Sequence, residues 1–180
     1  CSLRSHGITR HENEMTKKSD GPWYYQQIDL GFNYRMTDIN AALGLSQLNN
    51  LDKFISKRHE IARKYDLAFK DKPLITPFQN LNTYSSYHLY IIRIKNSVDN
   101  LNKLELFKKL RSLGVLVNLH YIPVYHHPFY KKFGYNISDF PESEKYYEEA
   151  LSLPIHTLLK VEEQDFVIEN VLNFLSKQKI

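Results

Sequence analysis

The 180-residue chain predicts an α/β fold, a small sheet covered by helices plus one long connecting helix. Three observations carry that expectation. Apolar residues recur at three- and four-residue steps over residues 37–70. The run YHLYIIRI at 87–94 is β-branched and aromatic. Helical and strand-like segments then alternate to the end of the chain. Hydrophobic residues make up 42% and charged residues 24%, so a core is affordable, and 13 Tyr and 10 Phe supply much of it.

Residues 1–30 are polar, aromatic and weakly periodic. Leu3–His6 reads as the end of a helix stopped by Gly7. Residues 11–21 read as a surface loop, and Pro22, Trp23, Tyr24 and Tyr25 then present rings that need a covering surface. Residues 37–70 are the strongest helix, capped by Thr37 and carrying Ile39, Leu43, Leu48, Leu51, Phe54, Ile55, Ile61, Tyr65 and Ala68. At about 1.5 Å per residue it would span roughly 50 Å, with Gly44 as a weak point. Pro73 ends it and Pro77 marks a loop. The strand at 87–94 follows. Residues 100–113 form an amphipathic helix with Leu101, Leu104, Phe107 and Leu110 on one stripe, stopped by Gly114. A short strand at 115–119 leads into an aromatic loop and turn at 120–136. Residues 143–151 are helical, and Leu153-Pro154 reads as an edge strand. The terminal helix, 161–177, turns Phe166, Val167, Val171, Leu172, Phe174 and Leu175 inward.

Net charge is +4 with histidines neutral, a mild basicity that suits an anionic small molecule and is too diffuse for nucleic acid. Cys1 is the single cysteine, which excludes an internal disulfide and fits a reducing, cytoplasmic setting. No apolar run reaches membrane-spanning length and no signal-like leader is present. The chain has no initiator Met and opens inside what reads as an element, so it is expected to be a piece of a longer polypeptide.

Two stretches carry candidate chemistry. In LGFNYRMTDINAALGLSQLN, at 30–49, Asn33 and Arg35 stand just ahead of the Thr37 helix start. A helix's first turn leaves N–H groups unpaired and partially positive, so an amide and a guanidinium beside it make a phosphate cradle. The same spacing also fits a plain loop in which Asn33 turns the chain and Arg35 pairs with Asp38. The second stretch is HYIPVYHH at 120–127, where imidazoles and phenols around Pro123 can bond sugar hydroxyls or a pyrophosphate. Taken on the residues alone, aromatic packing around a proline turn is the favoured account of it. Adjacent His126 and His127 lack a neighbouring Cys or acidic pair, so no metal site is expected. Glu148, Glu149, Glu162 and Glu163 read as solvated charge, and no carboxylate pair sits in an apolar setting that would raise a pKa.

The stretch GFNYRMTDINAALG at 31–44 closely resembles the G-x-N-x-R motif region of the DegT/DnrJ/EryC1/StrS family of pyridoxal-phosphate-dependent nucleotide-sugar aminotransferases. RSHGI at 4–8, GPWYY at 21–25 and GVLVNLHYIPVY at 114–125 extend the likeness across nearly the whole chain. They are most similar to the subgroup that aminates C4 of a UDP-4-keto-6-deoxy-hexose on the route to pseudaminic acid.

The resemblance implies the C-terminal part of a fold-type I pyridoxal-phosphate-dependent transferase. In it, residues 1–36 end the large domain and form an interface arm. Residues 37–72 form the connecting helix, and 73–180 the small C-terminal α/β domain. It further implies a homodimer, pyridoxal 5′-phosphate as cofactor, a nucleotide-sugar substrate and an amino-acid donor, usually glutamate. Asn33 and Arg35 would reach the cofactor phosphate of the other protomer, with Tyr34 and Met36 packed beneath their loop. His120, Tyr121 and Tyr125 would contact the nucleotide sugar. The family's cofactor-bearing lysine lies upstream of its Arg-Ser-His-Gly stretch, and no lysine here has that context, so no catalytic residue carries over. Two alternatives stand beside this reading. One is an aminotransferase of the same family acting at C3 or on a dTDP-sugar. The other is a non-catalytic α/β binding module.

Overall fold

A computed structural model of the protein describes residues 2–94 and 102–177. The chain divides into two compact units, Cys1–Leu51 and Asp52–Ile180.

In the first unit, strands β1 (Ile8–Thr9) and β2 (Gln26–Gln27) pair antiparallel. Leu3–His6 is no helix end. Residues 2–4 form a turn, Ser5 bridges to Asn33, and both His6 and Gly7 have positive φ. A helix-stop pattern is present (Gly7 N–H donates to the Ser2 carbonyl at 2.9 Å), but it closes a single turn. Helix α1 (Asp38–Leu48) starts at Thr37, whose hydroxyl accepts the Asn40 N–H at 3.3 Å, as the sequence predicts.

The long helix does not run through to residue 70. It stops at Asn49-Asn50, and helix α2 (Leu51–Phe69) begins anew at Leu51, the last residue of the first unit, with the rest of it in the second. Asparagine amides compete with the backbone for hydrogen bonds, which makes an Asn pair a natural interruption. The two helices differ in burial. Ile61, Ala62, Tyr65 and Phe69 of α2 are buried, whereas Ile39, Leu43, Leu45 and Leu48 of α1 are all exposed.

The second unit is built on a three-stranded antiparallel sheet in the order β3 (Leu74–Ile75), β4 (Tyr90–Ile94) and β5 (Ala150–Leu153). Alternation along β4 sends Tyr90, Ile92 and Ile94 into the core. The strand starts three residues later than the sequence suggests, because Tyr87 has φ +44° and its carbonyl, with those of His88 and Ile155, is held by Arg58. Further clasps fix α2. The Tyr65 hydroxyl donates to the Pro154 carbonyl at 3.0 Å, and buried Gln164 donates to the Ile61 carbonyl at 2.8 Å.

Helix α3 (Lys103–Ser112) is capped by Asn102 and ends in paired bonds from Gly114 to Arg111 and from Val115 to Leu110, with Gly114 at φ +81°. This is the left-handed glycine stop that the sequence predicts. Residues 100 and 101 of that expected helix lie outside the described residues. Leu106 and Leu110 enter the core, while Leu104 stays exposed. The expected strand at 115–119 reduces to one bridge, Asn118 to Ser152, with Val115 and Val117 buried.

The loop at 120–136 contains a 3-10 turn, Val124–His126, and the short helix α4 (Pro128–Lys131). Helix α5 (Pro141–Glu149) gives way to β5 at Ala150, so Ala150 and Leu151 are sheet rather than helix. Helix α6 (Val161–Lys177) packs Val167, Ile168, Val171, Phe174 and Leu175 into the same core. Phe166 is left exposed, contrary to the predicted inward stripe. Among the described residues, no helix is long and apolar enough to cross a membrane.

Candidate functional site

In the first unit the sequence motifs around Gly7 and Gly31 form one backbone seam. Phe32 N–H donates to the Leu3 carbonyl at 2.7 Å, Tyr34 N–H to Arg4 at 3.0 Å, and His6 N–H to Phe32 at 3.0 Å. The seam is so close that a Cβ on Gly7 would stand 2.0 Å from the Asp29 carbonyl oxygen. One on Gly31 would stand 2.1 Å from the Gly7 nitrogen. Only glycine fits at either position. The seam fixes the backbone of Asn33, the bridge partner of Ser5, and leads through Arg35 to the Thr37 cap.

Asn33 and Arg35 are both exposed. Arg35 forms no ion pair with Asp38 among the described residues. Tyr34 and Met36 do not pack beneath this loop within the chain. They are 72% and 69% exposed, and among the described residues Tyr34 stacks on Phe32 alone, centroids 5.1 Å apart. An amide, a guanidinium and the unpaired first-turn N–H groups of α1 are the donor types that a phosphate dianion takes.

In the second unit, β5 and α5 organise the stretch at 120–127. A ring nitrogen of His120 (Nδ1) lies 2.8 Å from the Ser152 hydroxyl of β5, and the His120 carbonyl accepts the Tyr146 hydroxyl at 3.2 Å. Tyr121 meets the His120 ring edge-on but is 73% exposed. Tyr125 and His126 both turn to one carboxylate oxygen. Glu144 Oε1 accepts the Tyr125 hydroxyl at 2.6 Å and lies 2.8 Å from His126 Nε2. Those hydrogen bonds hold the Glu144 carboxyl below the usual carboxylate range, against a smaller opposing effect of burial. Burial first, and the bond to Glu144 second, push the Tyr125 phenol up.

Sequence reasoning missed two acids here. Glu144 drew no attention, although its position in the first turn of a helix after Pro141 was legible. Glu149 is buried rather than solvated, and Arg93 grips it at 2.7 Å through Nη2 and 2.9 Å through Nε while its guanidinium lies over the Tyr146 ring. Only its pairing with β4 reveals that role. Lys103 donates to the Tyr147 carbonyl, and burial lowers its pKa. Among the described residues, no three His, Cys, Asp or Glu side chains group to hold a metal ion.

Comparison with known proteins agrees with these motifs. The chain is 35% identical over 179 residues to the UDP-4-amino-4,6-dideoxy-N-acetyl-beta-L-altrosamine transaminase of Campylobacter jejuni, covering 98% of this chain and 44% of that protein. Its fold matches Helicobacter pylori PseC, an aminotransferase involved in the biosynthesis of pseudoaminic acid, with TM-score 0.81 and 30% identity over 98% of this chain and 45% of that one. It also matches the PLP form of the putative sugar aminotransferase Spr1654 from Streptococcus pneumoniae, with TM-score 0.84 and 29% identity over 99% and 43%. The chain spans less than half the length of the curated relatives it matches. With residues 1–172 matching, it belongs to the DegT/DnrJ/EryC1/StrS aminotransferase family.

Proposed function

We propose that the complete protein carrying this chain is a pyridoxal-phosphate-dependent nucleotide-sugar aminotransferase of the cytoplasm. It moves an amino group from an amino acid, glutamate first among donors, to C4 of a UDP-4-keto-6-deoxy-N-acetylhexosamine. The observation that carries this reading is the glycine seam, which leads into exposed Asn33 and Arg35, two positions apart just ahead of α1, in a chain of this family. When bound, the cofactor supplies an electron sink.

This chain's own residues bind and orient. Asn33 and Arg35 donate to the phosphate of a cofactor held by the partner protomer of a homodimer, an arrangement in which residues 1–36 serve as the interface arm. His120, Tyr121 and Tyr125 face the nucleotide sugar. The lysine that holds the cofactor comes from outside these 180 residues. That the Campylobacter and Helicobacter relatives are UDP-4-amino-4,6-dideoxy-N-acetyl-beta-L-altrosamine transaminases supports C4 of a UDP-sugar over C3 or a dTDP-sugar.

The test is to express the reading frame that carries this chain together with whatever coding sequence precedes Cys1. Amino transfer from glutamate to UDP- and dTDP-4-keto sugars is then measured in the presence of the cofactor. Expected are transfer to the UDP-sugar and, for Arg35→Ala, a loss of cofactor affinity of about tenfold or more, the worth of a charge-assisted bond. A protein that takes up no cofactor and transfers no nitrogen would instead be a non-catalytic binding module.

A further inference from the structure

Glu144 has a role that no motif announces. One of its oxygens, Oε1, meets both Tyr125 Oη at 2.6 Å and His126 Nε2 at 2.8 Å. The partner rings are held from other sides as well. Tyr125 stacks on Phe140 with centroids 4.6 Å apart and planes 20° apart, and His126 meets the Tyr147 ring edge-on at 5.6 Å. The two rings therefore have little freedom to turn. An ionised carboxylate only accepts hydrogen bonds, so the single phenolic proton of Tyr125 is committed to Glu144. The Tyr125 oxygen, which the Ser143 hydroxyl also approaches as a donor, keeps acceptor capacity alone and can offer a ligand only a lone pair.

We propose that Glu144 is a positioning residue that sets the hydrogen-bond polarity of Tyr125, so that the ligand group meeting Tyr125 is a donor: a hydroxyl or amide N–H of the sugar, not a pyrophosphate oxygen. This rests on the reading that residues 120–125 face the nucleotide sugar. Glu144 touches no reacting atom in this account. It acts through Tyr125, with His126 filling the other approach to the same oxygen.

The experiment uses the complete protein with Glu144→Ala, Glu144→Gln and Tyr125→Phe. Three quantities are measured: KM and kcat with the UDP-4-keto-6-deoxy-N-acetylhexosamine, the rate of the glutamate half-reaction, and UDP affinity by calorimetry. Expected for Glu144→Ala and Tyr125→Phe is a rise of about tenfold in KM for the sugar nucleotide, the worth of one well-placed hydrogen bond. The glutamate half-reaction and UDP affinity should stay within about twofold, and the double variant should be no worse than either single one. Glu144→Gln, nearly isosteric, keeps the fold and gives an intermediate rise.

An unchanged KM in both Glu144 variants overturns the proposal. So does an equal fall in both half-reactions, the mark of general structural damage, or weakened binding of UDP alone, which would put the phosphates against Tyr125. Failure of the underlying reading looks different: KM then stays unchanged in Tyr125→Phe as well, whereas failure of the proposal alone leaves the Tyr125→Phe effect in place and removes that of the Glu144 variants.

Discussion

The units Cys1–Leu51 and Asp52–Ile180 use hydrophobic sequence in opposite ways. Among the described residues, the core cluster runs from Ile61 to Leu175 and takes none from the first unit. There, Trp23 is 72% exposed and Ile39 82%, and order rests on backbone bonds across the Gly7–Gly31 seam. Helix α1 carries apolar residues on several sides and buries none of them, whereas α2 gathers its apolar residues on one face and buries Ile61, Ala62, Tyr65 and Phe69. The contrast teaches that periodicity announces a face to be covered without saying what covers it. The second unit supplies its own core, and the first leaves most of its large apolar side chains exposed.

The contrast can be broken or sharpened by substitution. The largest effect is expected from Tyr65→Ala, which deletes a fully buried ring and its bond to Pro154. A loss of about 3–5 kcal/mol is expected in urea unfolding, and a small loss would mean that the second unit's core is not what holds it. Next comes Arg93→Met, which leaves the buried Glu149 carboxylate without its cation. A cost of about 3 kcal/mol is expected, with most of it recovered when Glu149→Gln is added.

A pH titration gives a graded effect. Burial raises the phenols of Tyr65 and Tyr90 above the ordinary 10.0, with Asp66 adding to the rise at Tyr90. The folded state then holds these protons more tightly than the unfolded chain does. The stabilisation is complete below the unfolded pKa and is lost as pH climbs beyond about 10. A melting temperature that does not fall on that alkaline side would contradict the burial of the two rings.

Smaller still, amide exchange should be slowest in β4, β5 and α6 and fast through residues 2–51. The smallest effect belongs to Ile39→Ala and Leu43→Ala. In the isolated chain each should alter stability by no more than about 0.5 kcal/mol, since neither side chain is covered.

Local signals were legible where one residue type decides the outcome. The Thr37 cap, the Gly114 stop and the bounds of α6, though not the exposure of its Phe166, follow from the sequence. Misreadings arose where tertiary partners decide. Asn49-Asn50 split a periodic run, Arg58 drew three carbonyls together and delayed β4, and pairing with β4 took Ala150 and Leu151 out of the helix. In the candidate site, the motif residues Asn33 and Arg35 could be found from spacing and resemblance. Glu144 and Glu149 could not, because their partners lie 18 to 56 positions away.

The meeting of residues 7 and 31 works by subtraction: it exists because two methyl-sized volumes are missing, and no added attraction can stand in for them. A side chain gained at either position has no compensating change at the other, since both glycines are already as small as a residue can be. Anyone recombining this region with that of a distant relative therefore has two sites where tolerance is nil. Loss of either should misalign Asn33 well before it alters how the rest of the molecule melts.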